Sequence, residues 1–190
     1  AAWTPSKPLE GSLPASVDNS KLKYFPKVFD QKGGSCAQSS GIRYLFTYEM
    51  NRLLDRDAQA SDANTFSYFY TWNFLNDGID QGGFAEQGLN IARQQGAMSL
   101  ADFPDPSSYF TFKWASGYDR YTRAMQNRVK EIISFEVTSQ EGVDLARRYL
   151  YDAGDGSAYG GPSSPTRRWL PDGPSTRIIR GRRKRATPTC

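Results

Sequence analysis

A single hydrophobic repeat that starts beside a cysteine constrains this chain more than anything else in it. After Cys36, apolar residues fall at Ile42, Leu45, Phe46, Met50, Leu53 and Leu54. Those offsets share one face of a 3.6-residue helix and do not alternate as a half-buried strand does. The spacing predicts a central helix over 36–57, ending near Asp55-Arg56-Asp57, with Cys36 at or next to its N-terminus. Unpaired backbone N–H groups and the positive end of the helix dipole favour an anion at such a place. A thiol there gives up its proton more readily and is a candidate nucleophile. By residue type alone, the default for a cysteine is a buried and inert side chain. The context reverses that default, because Asp30-Gln31-Lys32-Gly33-Gly34-Ser35 places a glutamine and a glycine-containing loop directly before Cys36.

Around this helix the chain divides by composition. Residues 1–29, punctuated by Pro5, Pro8, Pro14 and Pro26, read as an extended leader arm. Residues 30–110 read as a helical lobe. Within it, Thr65 to Leu75 is so continuously apolar and aromatic that helix and strand both fit, and its aromatics are more at home in a core than as a ligand platform. Asn76 to Gly83 is a turn-rich loop, and Phe84 to Gln95 is a short helix stopped by Gly96. Residues 111–161 read as a partial second lobe, with a helix over 121–133, a strand near 132–137 and an amphipathic helix over 142–151. Asp80 and Glu86 read as solvated charges. Asp152…Asp155-Gly156 lacks the further ligands a calcium loop needs.

Charge excludes several function classes. The formal net charge is +4, but residues 162–190 carry eight Lys or Arg against the single acid Asp172. The alkaline balance therefore belongs to that segment, whose Pro, Gly, Ser, Thr and Arg leave no evident buried face. It is expected to be disordered, or out of frame with what precedes it. Its run from Arg180 to Arg185 suits a phosphate backbone. No nucleic-acid-binding fold or aromatic interleaving accompanies it, so nucleic acid ranks low as a partner. No membrane span or signal peptide is read. Histidine is absent and only Cys36 and Cys190 are cysteines, which argues against a disulfide framework, a zinc site or any other metal or cofactor.

Three patterns, taken in order, resemble the papain family of cysteine peptidases. Leu13-Pro14…Val17-Asp18 is similar to the start of many mature enzymes of that family. Gln31…Gly34-Ser35-Cys36 resembles its glutamine and nucleophile block, followed by the long helix. Gln81-Gly82-Gly83-Phe84, leading into Gly88-Leu89-Asn90-Ile91-Ala92, resembles the glycine-pair loop and helix bordering its substrate cleft. Phe66-Ser67-Tyr68 adds a further, weaker match. The resemblance covers residues 13–105 and implies an α+β fold: the helical lobe of a papain-like enzyme with an incomplete second, β-rich lobe. It further implies that Cys36 attacks a peptide carbonyl of a polypeptide substrate. Gln31 and the Cys36 N–H would hold the oxyanion, and Gly82 and Gly83 would let an extended peptide approach the backbone. A secreted or cell-surface location goes with the family.

The departures from the pattern are equally specific. Gln31 and Cys36 stand one residue closer than in the plant and lysosomal enzymes, and Ala37 replaces an aromatic. The second cysteine of the nucleophile block is missing, with Gln81 in place of the loop cysteine that would bridge to it, as in a divergent, bacterial branch without disulfides. The family's histidine would fall near 166–186, inside the basic segment, and there is none. The chain by itself is therefore expected not to turn over peptides, because a leaving amine needs a proton donor. Two alternatives stay open on the residues alone: a catalytically dead peptide-binding homologue, and an interaction module with a basic nucleic-acid-binding tail.

Overall fold

The computed structural model describes residues 11–76, 79–107, 114–133, 135–154, 159–161, 165–170 and 173–178. They fall into two compact units, one built from 11–22 with the residues after 130, the other from 23–130.

In the unit of residues 23–130 the central helix runs without a break but is not uniform. It starts as α1 (Cys36–Gln38), widens into a π-helical stretch over Ser39–Phe46, and returns to α geometry as α2 (Thr47–Leu53). The wider turn rotates the buried face away from the predicted stripe, and Leu53 and Leu54 of that stripe are exposed. The buried side carries Ile42, Arg43, Phe46, Thr47, Tyr48 and Asn51. Gly41 is bare where Ala85 crosses it; a Cβ there would lie 3.0 Å from the Ala85 Cβ. The helix stops at Leu53, short of the predicted end at 57. Asp55 takes a left-handed conformation (φ 49°), and the Arg56 N–H returns to the Asn51 carbonyl at 2.9 Å, closing the end as a Schellman-type cap.

Arg43 is the least expected core residue. It is 3% exposed, yet its Nε donates to the Phe66 carbonyl at 2.9 Å and its guanidinium pairs with Asp105. The same plane lies 4.3 Å from the Phe29 ring centroid and 5.4 Å from that of Tyr68. A buried cation is tolerated because carboxylate, carbonyl and ring faces replace its water.

The aromatic stretch resolves as α3 (Tyr68–Asn76), buried at Tyr68, Phe69, Tyr70, Thr71, Trp72, Asn73 and Asn76. A helix covered on nearly every side has no polar stripe, so its periodicity could not be told from that of a buried strand. With Met98, Phe103, Ala115 and Ala124 its rings form the main apolar cluster, against which Phe29 and Tyr121 pack. α4 (Ala85–Gln95) begins after extended Phe84, whose N–H donates to Gln87 Oε1 at 2.7 Å. It ends at Gly96, where φ is +78°. α5 (Tyr118–Gln126) lies earlier than the predicted 121–133. Asn127 turns the chain out of the helix, and its carbonyl accepts from the Ala97 N–H at 2.9 Å, a long-range bond invisible to local pattern.

In the other unit, α6 (Gln140–Tyr151) starts at Ser139, whose hydroxyl accepts from the Gly142 N–H at 3.2 Å. The leader contributes Asn19, whose Nδ2 donates to the carbonyls of Leu150 (2.9 Å) and Gly161 (3.2 Å). Three strands, β1 (Phe135–Glu136), β2 (Pro165–Leu170) and β3 (Gly173–Ile178), form an antiparallel sheet in the order β1-β3-β2. Phe135 pairs with Ile178, and Arg167 with Thr176. Residues 165–170 and 173–178 of the basic segment form two of these three strands. An antiparallel ladder is made by backbone groups and does not require the apolar alternation that the composition lacks. The basic run 180–185 lies outside the described residues. The described residues are thus mainly helical with few strands, and no described helix is long and apolar enough to cross a membrane.

Candidate active site

Four segments of the 23–130 unit meet where the sequence places its candidate residues. The loop 31–35 leads into α1 and is held from two sides. The Lys32 N–H donates to the Tyr68 hydroxyl at 3.1 Å, and the Gly34 N–H donates to Asp80 Oδ1 at 2.6 Å. Burial pushes the Tyr68 phenol above its ordinary pKa, so the ring presents a neutral hydroxyl to the loop at physiological pH. Gly33 adopts φ +63°, and a Cβ on it would meet the Asp80 carboxylate at 2.8 Å. The loop is a tight bend wrapped on a carboxylate, and glycine supplies both the conformation and the room.

Gln31 and Cys36 are both half-buried at the two ends of this loop, and Ser35 between them is fully buried. Cys36 is the first residue of α1, as the hydrophobic repeat requires. Its sulfur, however, is disulfide-bonded, where a thiol was expected. The sequence counts two cysteines and carries no signal for pairing them; the other, Cys190, lies outside the described residues. Nucleophilic chemistry at Cys36 therefore requires prior reduction, because a disulfide sulfur has no lone thiolate to attack with.

The glycine pair sits alongside. Gly82 and Gly83 are half-buried in the irregular segment between α3 and α4. Gly34 passes so close to that segment that a Cβ on it would lie 3.1 Å from the Gln81 carbonyl carbon and from the Gly82 nitrogen. The structure thus brings the loop before Cys36 and the glycine pair together. Below them, Asn76, 1% exposed, accepts from the Gln81 N–H at 3.2 Å and donates to the Trp72 carbonyl at 2.8 Å. Gln38 joins three helices: its Nε2 donates to the Phe84 carbonyl at 3.0 Å, and its Oε1 accepts from the Thr71 hydroxyl at 3.1 Å. Gly88 makes room for this amide, since a Cβ there would stand 1.7 Å from Gln38 Oε1.

Sequence reasoning missed Tyr68, Asn76, Gln38 and, above all, Asp80. The resemblance puts the link between the two loops at the position of Gln81 and leaves Asp80 a solvated charge. Asp80 is exposed, but its carboxylate makes the link. A signal was present: an acid directly before Gln81-Gly82-Gly83, with a second glycine pair, Gly33-Gly34, offering N–H groups without side chains. Among the described residues, no group of three or more His, Cys, Asp or Glu could hold a metal ion.

No family model matches the chain, and no curated protein matches it in sequence. Among solved structures, xylellain, a cysteine protease from Xylella fastidiosa, is similar at a TM-score of 0.45 and 15% identity, over 72% of this chain and 62% of that one. The chain thus spans less than two thirds of that protein's length. A likeness of this size carries no argument, and the functional reading stands on the loop residues themselves.

Proposed function

We propose that this chain carries the nucleophile-bearing, helical part of a papain-like cysteine peptidase. One observation carries the reading: Cys36 opens the central helix at the end of a loop pinned at Lys32 and Gly34, directly beside the Gly82–Gly83 segment. In the reduced protein the Cys36 sulfur attacks the carbonyl carbon of an extended polypeptide laid along Gly82 and Gly83. The C–O π electrons move to oxygen, where the Cys36 N–H and the Gln31 side chain donate to the oxyanion. Collapse of that intermediate expels the leaving group and leaves an acyl-thioester on Cys36. An amine leaving group needs a proton as it departs, and this chain contains no histidine to supply one. The reaction natural to these residues alone is acylation by an activated acyl donor, without turnover of amides.

The test uses a peptidyl p-nitrophenyl ester, whose leaving group departs without protonation, on phosphine-reduced protein. The expected result is a burst of one p-nitrophenolate per chain, with the acyl group mapped to Cys36 by mass spectrometry and abolished by Cys36→Ala. Gln31→Ala slows the burst by about 10²–10³-fold. A burst indifferent to Gln31→Ala, or acylation elsewhere, overturns the proposal. The disulfide at Cys36 favours one second reading, a peptide-binding protein without catalysis. It is distinguished by saturable peptide binding with no acyl adduct on reduced protein.

A further inference from the structure

We infer that Asp80 is a positioning residue whose carboxylate sets the spacing between the two walls of the candidate groove; this rests on the peptidase reading above. One wall is the loop from Gln31 to Cys36, the other the segment through Gly82 and Gly83. They belong to stretches of chain 46 positions apart, and a peptide carbonyl must meet both at once. Its neighbouring residues lie along the glycine pair while its carbon reaches sulfur and its oxygen reaches the Gln31 amide.

Two independent features fix the gap. The first is the charge-assisted bond from the Gly34 N–H to Asp80 Oδ1 at 2.6 Å, of the short, strong kind that an ionised acceptor makes. The second is steric. Gly34 has no side chain where the Gln81–Gly82 peptide passes, and a Cβ would sit 3.1 Å from both backbone atoms, so an alanine would push the wall back by a few tenths of an ångström. Asp80 pulls the walls together, and the bare Gly34 lets them close. On the far side, Asn76 holds the Gln81 N–H from within the core, so a displacement of Gly34 is not absorbed by free movement of the glycine segment. No covalent link is needed between the loops, because the carboxylate occupies the bend that Gly33 and Gly34 form around it.

The experiment compares Asp80→Ala, Asp80→Asn and Gly34→Ala with the parent chain, all full-length and phosphine-reduced. Two reagents act at Cys36: the peptidyl p-nitrophenyl ester, which needs both walls, and iodoacetamide, which needs only the sulfur. Asp80→Ala is expected to slow ester acylation by about 10²-fold, as misplacement of a reacting group by about 1 Å does. Its iodoacetamide rate should stay close to the parent's. Asp80→Asn, which keeps an oxygen acceptor, should recover most of the loss. Gly34→Ala should slow the ester and spare iodoacetamide in the same way. Equal slowing of both reagents, or of neither, overturns the inference. Amide hydrogen exchange separates this failure from failure of the peptidase reading. In Asp80→Ala, protection should fall together at Gly34 and at 81–83; unchanged exchange there overturns the positioning role, whatever the ester does. An ester burst that ignores Gln31 overturns only the enzymatic reading.

Discussion

Two tyrosines two positions apart show how one hydroxyl can be useful and its neighbour a burden. Tyr68 and Tyr70 are both almost fully buried. The Tyr68 hydroxyl accepts the Lys32 N–H and so supports the loop before Cys36. The Tyr70 hydroxyl is buried with no hydrogen-bond partner among the described residues, and burial pushes its pKa up to about 12. A buried hydroxyl without a partner costs roughly 1–3 kcal/mol of desolvation. Tyr70→Phe is therefore expected to leave stability unchanged or raise it in a urea melt. Tyr68→Phe is expected to lower it by about 0.5–1.5 kcal/mol and to loosen the Lys32 amide in hydrogen exchange. The pH sign follows from the protons bound. Between the ordinary tyrosine value near 10 and about 12, the unfolded chain has lost the Tyr70 proton while the folded one keeps it. Stability thus falls as pH rises through that window, and Tyr70→Phe should remove part of the fall. A parent and a Tyr70→Phe protein with identical alkaline melts would contradict the assignment. None of this was legible in the sequence, where both residues belong to one run of aromatics. The partner that separates them lies 36 positions away from Tyr68.

Element ends show where local pattern suffices and where it fails. α4 ends at Gly96 as predicted, since amphipathic spacing and a terminal glycine are both local. Gly96 does more than stop a helix. Its φ of +78° with an extended ψ is nearly reserved to glycine, and a Cβ would lie 1.9 Å from the Ala124 carbonyl oxygen near the end of α5. Gly117, ahead of α5, has φ +97°, and a Cβ there would meet nothing within 4 Å. Gly117→Ala should therefore cost strain alone, about 1–3 kcal/mol, and Gly96→Ala strain plus overpacking, about 2–5 kcal/mol. Urea midpoints decide the order, and equal losses would mean that the α4–α5 approach is looser than these distances imply. The same junction carries Arg123, which clamps Asp102 through Nε and Nη2. That bond holds the Asp102 carboxyl below its usual range. A lowered folded pKa contributes stability above the unfolded value, near 3.9, and loses it as pH falls through the folded one. Arg123 is half exposed, so the gain is small and shrinks with salt. Asp102→Asn should melt lower than the parent at neutral pH, with the two curves converging in acid; a constant offset would rule the ion pair out. The end of α5 escaped the sequence because Asn127 leaves the helix to accept from Ala97. The π-helical stretch escaped because a 3.6-residue period was assumed throughout, so the predicted stripe placed Leu53 and Leu54 inward where the structure exposes them and buries Thr47 and Asn51.

At the scale of the molecule, the two units share the leader that the sequence presents as a single arm. Residues 11–22 belong with the described residues after 130, and those from 23 onward with the helical unit. Different side chains secure the two halves. Asn19 donates to the Leu150 and Gly161 carbonyls beyond α6. Tyr24 is 6% exposed, packs edge-on against Tyr48 at 5.9 Å, and donates its hydroxyl to Asp55 at 2.8 Å. The proline punctuation of residues 1–29 announced an extended path, but which core each half would join depended on hydrogen-bond partners more than thirty positions off in the chain. The loop before Cys36 was legible for the opposite reason: Gln31, the glycines, Cys36 and the helix behind them are adjacent in the chain. If the two halves are anchored independently, their loss should be independent too. Asn19→Ala removes two hydrogen bonds to carbonyls and should speed amide exchange in α6 while leaving α2 and α3 protected as before. Tyr24→Ala opens a cavity worth about 3–5 kcal/mol in a large-to-small aromatic substitution and should expose α2 while sparing α6. Acylation of Cys36 should survive the first change and weaken with the second, since the candidate groove lies wholly in residues 31–83. Loss of protection in both units from either substitution would show that they unfold as one cooperative body.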